Sequence, residues 1–191
     1  MHIVVSSALL NLAVSVLISL LTYPFTHFHL VHTIAQYYGV AFIAYGVHRI
    51  AHDWRFPKFW HRAHVIGHHY TNYPPSQPES DTYIFKTENM WEEADTYMYP
   101  VPILLFLSLY ARFILQCSFL PFALHSACTL MHFYLEVYVH EQVHLRHSWL
   151  DSFSMYKEIK RLHMIHHQQV HANILFANFL PDFLLGTFRT Q

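Results

Sequence analysis

Charged residues are scarce in this sequence, at 12% of its 191 residues, which is about half the share found in a typical soluble domain. The chain has no run of Lys and Arg and a formal net charge of −1. It therefore lacks the basic surface that nucleic acid requires, and no nucleic-acid partner is expected. Only two cysteines occur, Cys117 and Cys128, both within apolar sequence. They predict buried thiols rather than a disulfide framework or a cysteine-based metal site.

Hydrophobic residues make up 53% of the chain, and their long runs predict an integral membrane protein. The first run, Ile3 to Phe25, has the ~20 residues needed to cross a bilayer. Because no basic segment precedes it, we expect a retained helix rather than a cleaved signal peptide. The third run, Val101 to Val139, is too long for one crossing. The positions of Arg112 and Pro121 predict a turn within it.

The predicted fold is all-α: a single membrane domain, residues 1–191, in which a four-helix transmembrane bundle carries a His-rich helical cap. The predicted spans cover residues 3–25, 30–47, 98–114 and 118–139, and the His-rich regions cover residues 48–97 and 140–191. Four spans place both His-rich regions on one side of the membrane. All Lys and Arg residues except Arg112 fall on that side, so the positive-inside rule predicts a multi-pass protein with a cytoplasmic His-rich face.

Histidine is unusually abundant, with 19 residues, more than Lys and Arg together. Ten of them form four clusters with the spacings H-x3-H, H-x3-H-H, H-x3-H and H-x2-H-H, two clusters after each pair of apolar runs. On a helix, residues i and i+4 share a face, so each cluster presents imidazoles to one side. The ten are His48, His52, His64, His68, His69, His140, His144, His163, His166 and His167.

Ten imidazoles are too many for one metal ion and suit two. Imidazole is a ligand for iron, zinc, copper and nickel, whereas magnesium and calcium prefer oxygen. In a helix bundle, ligands from different helices converge on the inward faces. We therefore predict a dinuclear metal site in the cap. A single such motif can arise by chance in a His-rich chain, but two pairs of clusters in the same order are hard to attribute to chance.

The remaining histidines have other predicted roles. His125 suits the core of an apolar helix. Three histidines fall at the opposite membrane face, where interfacial polar residues are expected: His27, His29 and His32. Three more lie near the clusters in sequence and are left open as further ligands or neighbouring donors: His61, His132 and His171.

Carboxylates are the second group of candidates, because a metal-bound imidazole usually donates its other N–H to a carboxylate or carbonyl. Glu136 stands one turn before His140 in an apolar run, where an unpaired charge is costly and a functional role is expected. Glu136 and Asp182 are the candidate catalytic residues. Asp53, Glu141 and Asp182 are further candidates for orienting imidazoles. For Asp53 and Glu141, a solvated or ion-paired surface role is the alternative.

Functions of other classes are also open. Residues 140–144 read H-E-Q-V-H, the H-E-x-x-H pattern of zinc proteases, with Glu141 as a possible general base. An intramembrane protease of this kind needs a third ligand and leaves seven of the clustered histidines without a role. The other alternative is a non-catalytic metal-binding or haem-binding membrane protein, whose histidines would be expected within the spans.

The order of the four clusters resembles the fatty acid hydroxylase superfamily of integral membrane di-iron enzymes. The matching segments are Tyr45–His69 and His140–Thr187, and the resemblance extends over essentially the whole chain. After the last cluster, Asn173 stands at the position of the family's N-F-G motif, and the closing D-F-L-L-G-T is similar to its D-x-x-F-G-T. Leu175 and Leu185 replace the usual glycine and phenylalanine, so a different tail geometry is expected.

This resemblance implies an O2-dependent oxidoreductase that hydroxylates or desaturates a C–H bond of a membrane lipid. It implies two iron ions, which zinc can replace in a purified sample, and electrons from a separate protein such as cytochrome b5 or a ferredoxin. The implied location is the endoplasmic reticulum in a eukaryote or the inner membrane in a bacterium. The segment 74–81 is similar to a segment of acyl 2-hydroxylases and favours a fatty-acyl or sphingolipid substrate. A sterol desaturase, a C4-methyl sterol oxidase or a carotenoid hydroxylase is the alternative.

The substrate pocket is predicted where the spans reach the metals. The apolar span ends Val40–Val47 and Phe133–Val139 would wall it, and the short apolar stretch Ile174–Leu185 would form its floor. Gly39 and Gly46 either leave room beside this pocket or permit close helix packing.

Overall fold

The computed structural model describes residues 2–26, 30–55, 58–84, 99–116 and 119–191. Within these ranges the chain is helical, with an isolated bridge between Ser80 and Leu145 and no β-strand, which confirms the all-α prediction. The helices are α1 (His2–Thr26), α2 (Leu30–Ala51), α3 (Lys58–His61), α4 (Pro100–Tyr110), α5 (Phe119–Val143), α6 (Ser154–Gln168) and α7 (Leu180–Leu184). π-Helical segments span Arg62–Asn72 and Ala111–Leu115, and a 3-10 helix spans Trp149–Ser152.

Some predictions concern parts of the chain outside these ranges. The proposed interfacial residues His27 and His29 and the acidic part of the first His-rich region, residues 85–97, lie there. The side chains of His125 and His132 are likewise outside the described part of the chain.

One helix in the described ranges is long and apolar enough to cross a membrane, at His2–Leu21. Helices α2 and α5 have 22 and 25 residues, but histidines and other polar residues interrupt their apolar sequence. The apolar helix Pro100–Leu115 is shorter than a full span. By length and hydropathy, the structure therefore contains one candidate span in the described ranges, where the sequence predicts four.

Helix α1 turns a polar stripe inward. Ser7, Asn11 and Ser15 are spaced four residues apart and buried, whereas Leu9 is 59% exposed. Because residues i and i+4 share a face, these small polar side chains line the surface on which α1 packs against α2, α5 and α7. The Asn11 Nδ2 atom also donates to the carbonyl of Ala177 at 3.5 Å, which joins α1 to the segment before α7.

Two apolar clusters fix the helices that carry histidines. The first joins α2, α4 and α5 to the segment after α6 and includes Val40, Ala44, Val47, Ile103, Leu107, Phe133, Ile174 and Leu175. The second joins the start of α1 to α6 and consists of Ile3, Val4, Val143, Tyr156, Ile159, Leu162 and Phe179. His48 directly follows a member of the first cluster, and His163 directly follows a member of the second, so burial of apolar surface positions both rings.

Gly39 marks a close approach between α2 and α4. A Cβ atom at this position would lie 2.4 Å from Cζ of Phe106. At Gly46, an added Cβ would meet no atom within 4 Å. Of the two roles left open for these glycines, close helix packing therefore applies to Gly39, whereas open space adjoins Gly46.

The second histidine cluster lies on a π-helix, Arg62–Asn72. In this geometry hydrogen bonds run between residues i and i+5, which brings residue i+5 over residue i. His64 and His69 are consequently neighbours, with their Nε2 atoms 3.1 Å apart, and His68 shares their side of the helix. An α-helix would turn His69 away from His64, so the π-helix is what places these two rings side by side.

Candidate metal centre

The structure brings all ten predicted histidines together, and every one is buried. Their ligand atoms form groups within which all atoms lie no more than 4.8 Å apart. The first group contains His48, His52, His64, His69 and His166. The second contains His68, His140, His144 and His163. A third, composed of His68, His69 and His167, connects the other two. This arrangement offers two adjacent metal sites.

Four chain segments supply the rings. The end of α2 carries the first cluster, the π-helix the second, the end of α5 the third and α6 the fourth. The π-helix and α6 contribute to every group, since His68 or His69 and a residue of the fourth cluster lie close to each of the others. Neither of the first two groups therefore corresponds to a single pair of clusters that are consecutive in the sequence.

The distances between ring nitrogens fit shared metal ions. Nε2 of His163 lies 3.0 Å from Nε2 of His144 and 3.1 Å from Nε2 of His167. In a neutral imidazole, each ring nitrogen is either one donor or one acceptor. A hydrogen bond therefore does not account for both contacts of the His163 Nε2 atom. Two nitrogens that bind the same metal ion at about 2.1 Å lie roughly 3.0–3.4 Å apart, so these contacts fit such a pair.

Other buried ring nitrogens in the cluster have no hydrogen-bond partner among the described residues. These are both nitrogens of His48 and His52, Nε2 of His68, Nδ1 of His69 and Nε2 of His166. Burial of a polar nitrogen without a partner costs about 1–3 kcal/mol. Metal coordination would satisfy one nitrogen of each ring, so the residues present fit a pair of imidazole-bound metal ions.

Backbone carbonyls orient three of the rings. The Nδ1 contacts run from His144 to Pro78 O (2.8 Å), from His166 to Ala172 O (2.8 Å) and from His167 to Tyr73 O (3.0 Å). A carbonyl oxygen only accepts, so each Nδ1 carries the proton and each Nε2 presents its lone pair. This is the tautomer and orientation that a metal ligand requires.

The loop after the π-helix was not predicted as part of the site. Tyr73 is fully buried, and its ring stacks on His144 with the centroids 4.0 Å apart. The loop is held by the ion pair between Glu79 and Lys160, at 2.8 Å. The proline-rich segment was visible in the sequence, but a carbonyl that accepts a hydrogen bond has no side-chain signature from which to predict it.

Burial keeps seven of the imidazoles uncharged. It is the largest cause that lowers the pKa of seven rings below the ordinary value of 6.5, and the neighbouring imidazoles lower the pKa further. The seven are His48, His52, His68, His69, His144, His163 and His166. At neutral pH these rings are neutral, which is the form that binds metal.

Glu136 lies at a small cavity beside the first and second groups of histidines. The cavity has a volume of about 30 Å3 and borders His48 and His64 of the first group and His140 of the second. The Tyr37 hydroxyl donates to Oε1 of Glu136 at 2.9 Å. The rest of the wall is apolar or aromatic: Ala44, Tyr99, Phe133, Val137, Leu175 and Phe176. The two span ends and the tail stretch that were predicted as walls and floor each contribute to this lining.

Asp182 accepts hydrogen bonds from the tail of the chain. Its carboxylate accepts hydrogen bonds from the Ile174 amide at 2.6 Å, the Leu175 amide at 2.9 Å and the Thr187 hydroxyl at 2.7 Å. Burial raises the pKa of Asp182 to about 6, and these hydrogen bonds offset part of the rise. Because the tail folds back on itself at Asn173, where φ is 48°, Asp182 faces backbone amides and holds Leu175 in the cavity wall.

The remaining candidates lie outside the groups of ligand atoms. Asp53 is paired with Arg55 at 2.6 Å on the surface, which agrees with the alternative role left open for it. His61 Nδ1 lies 3.2 Å from the carbonyl of Ala51. The His171 ring is exposed, with its centroid 6.4 Å from that of His52.

The chain matches no family model, no curated protein and no solved structure.

Proposed function

We propose that this chain is a membrane-bound dinuclear metal oxygenase that hydroxylates or desaturates a C–H bond of a lipid, on a fatty-acyl or sphingolipid chain. The observation that carries the proposal is the convergence of ten buried imidazoles beside a cavity with an apolar wall. The nitrogen spacing of 3.0–3.1 Å supports coordination of a shared metal ion by these rings. The His-cluster order, which resembles that of the fatty acid hydroxylase superfamily, supports iron as the metal.

Two iron ions, when bound to these histidines, supply the O2 chemistry that amino-acid side chains lack. Hydroxylation consumes one O2, two electrons and two protons and yields an alcohol and water, so an electron-donor protein such as cytochrome b5 or a ferredoxin is part of the proposal. The side chains of Phe133, Val137 and Leu175 exclude water and hold the lipid carbon beside the metal ligands. Tyr73 and Pro78 keep the rings in the metal-binding orientation.

The proposal includes a multi-pass membrane location with the histidines on the cytoplasmic side. Large apolar side chains point outward on α4 and α5 as well as on α1, which supports contact of these helices with lipid. Leu105 is 59% exposed, and Phe113, in the π-helical continuation of α4, is 69% exposed. On α5, Met131 is 60% exposed and Leu135 is 57% exposed.

The first test is the metal content per chain of protein purified in detergent without oxygen. We expect two metal ions in the wild type and loss of metal in His144→Ala, because His144 contacts His68 of the second cluster and His163 of the fourth. His147→Ala is the matched control, since His147 is exposed three residues away and is expected to leave the metal content unchanged.

The second test is oxidation. Iron-loaded wild type, supplied with O2, a reductant and a mixture of acyl, sphingolipid and sterol substrates, should yield one oxidised lipid class by mass spectrometry, and His144→Ala should yield none. A single zinc ion per chain together with peptide-bond cleavage that depends on Glu141 would instead identify the zinc protease. Metal without any lipid oxidation would reject the oxygenase.

A further inference from the structure

A directed chain of hydrogen bonds ends at the cavity. The Asn178 side-chain amide donates to the Tyr37 hydroxyl at 3.2 Å, and that hydroxyl donates to Oε1 of Glu136 at 2.9 Å. Asn178 and Tyr37 are buried. An amide N–H only donates, and the single proton of Tyr37 points to Glu136. The direction from Asn178 through Tyr37 to Glu136 is therefore fixed.

The position of Glu136 relative to the metal ligands is equally defined. Glu136 precedes His140 by four residues on α5, so the two side chains lie on one face about 5–6 Å apart at their Cβ atoms. Both border the same cavity, along with His48 and His64. A lipid carbon that reaches the histidine groups through this cavity would therefore pass close to the Glu136 side chain.

The carboxyl is suited to bind a hydrogen-bond donor. A carboxyl group accepts several hydrogen bonds, and the Tyr37 hydroxyl holds this one in place through Oε1. Apart from Glu136 and the three histidines, the cavity wall is apolar or aromatic. At about 30 Å3, the cavity has room for roughly two water-sized groups, since one water needs about 10–15 Å3. A small polar end such as a hydroxyl or an amide N–H fits this space.

We propose, on the basis of the proposed function, that Glu136 binds a hydroxyl or amide N–H group of the lipid substrate and that Tyr37 and Asn178 position its carboxyl. The substrate is then a lipid whose donor group lies within a few bonds of the carbon to be oxidised. Oxidation in the middle of a long chain, far from the polar end, does not meet this condition.

The test measures binding without turnover, in zinc-loaded protein in detergent. The probes are 1-hexadecanol, which has a donor at its end, and methyl hexadecyl ether, which has the same chain and no donor. Each competes with tritiated 1-hexadecanol in a scintillation proximity assay. We expect the wild type to prefer the alcohol by roughly two- to tenfold, the ratio that one hydrogen bond gives.

Glu136→Leu is expected to abolish this preference while the affinity for the ether and the zinc content stay unchanged. Glu136→Gln, which keeps the shape, and Tyr37→Phe, which keeps the ring, should each reduce the preference. Ser126→Ala, a change at a buried polar residue on the same helix, is the control and should retain it. Equal affinity of the wild type for both probes, or an undiminished preference in Glu136→Leu with full zinc content, would overturn the proposal.

The binding assay separates this proposal from the oxygenase itself. If the alcohol is preferred through Glu136 but the iron-loaded protein oxidises no lipid, the oxygenase fails and the donor site stands. If lipid is oxidised and the wild type shows no preference for the alcohol, the donor site fails and the oxygenase stands.

Discussion

Asp182 shows how one buried carboxylate can hold a cavity wall in place. It accepts two backbone amides and the Thr187 hydroxyl, and an asparagine would set its own N–H2 group against one of these donors. A buried donor without an acceptor costs about 1–3 kcal/mol. We expect Asp182→Asn to lower the Tm in detergent by about 3–10 °C.

The control for this variant is Asp53→Asn. Asp53 forms an exposed ion pair with Arg55, and such pairs contribute little to stability, so we expect no measurable shift in Tm. A Tm for Asp182→Asn that equals the wild-type value would show that the tail does not depend on these hydrogen bonds.

At the residue scale, the sequence predicted the histidines and did not predict what orients them. Spacing alone identified rings such as His144, because a side chain that binds metal is visible in the sequence. The carbonyl of Pro78, which fixes the tautomer of His144, is invisible because every residue has a carbonyl. Tyr37 was unremarkable in an apolar helix, and its contact with Glu136 spans 99 positions of sequence.

At the scale of elements, the contact between α2 and α4 depends on Gly39. A methyl group there would lie 2.4 Å from the Phe106 ring, so the ring must move, and overpacking of this kind costs about 1–3 kcal/mol. We expect Gly39→Ala to lower the Tm by several degrees. Gly46→Ala is the matched control on the same helix. It has space for the methyl group and gains helix propensity, so its Tm should equal or exceed that of the wild type.

The double variant Gly39→Ala/Phe106→Leu tests whether a clash with the Phe106 ring causes the lower Tm of Gly39→Ala. A smaller side chain at position 106 removes the clash, so the two changes should combine with less loss than their sum. Additive losses would assign the effect of Gly39→Ala to another cause.

The π-helix is the element that sequence patterns could not predict. The spacing of His64, His68 and His69 predicted a helix with His64 and His68 on one face and His69 beside them. The structure instead follows hydrogen bonds between residues i and i+5. A π-helix is rare and occurs frequently at functional sites. Here the three rings are distributed over the three groups of ligand atoms. Nothing local in the sequence distinguishes that requirement from α-helical spacing.

At the scale of the whole molecule, the four-span proposal makes a topological prediction. The turn at Gln116, between α4 and α5, should lie on the side of the membrane opposite His147. In a variant without Cys117 and Cys128, an impermeant maleimide applied to intact cells should label Gln116→Cys. It should label His147→Cys only after the membrane is permeabilised. Labelling of both positions from the same side would contradict the four-span arrangement.

The neutral histidine cluster also sets how the stability of the metal-free protein depends on pH. The seven rings with lowered pKa stay uncharged in the folded state below pH 6.5, whereas the unfolded chain takes up protons there. Their contribution to stability is therefore present above pH 6.5 and is lost as the pH falls below it. Each ring that remains neutral in the fold removes about 1.4 kcal/mol per pH unit.

We therefore expect the Tm of protein stripped by a chelator to fall steeply between pH 7 and pH 5.5, because several buried rings act together. Thermal unfolding at half-unit steps of pH measures this directly. Metal-loaded protein should have a higher Tm at pH 7, and the difference should shrink towards pH 5.5, since protons compete with metal for the same nitrogens. A Tm of the stripped protein that stays constant or rises on acidification would mean that the rings are hydrated and charged, and the site would then not be the dry, preformed metal centre that the proposed chemistry requires.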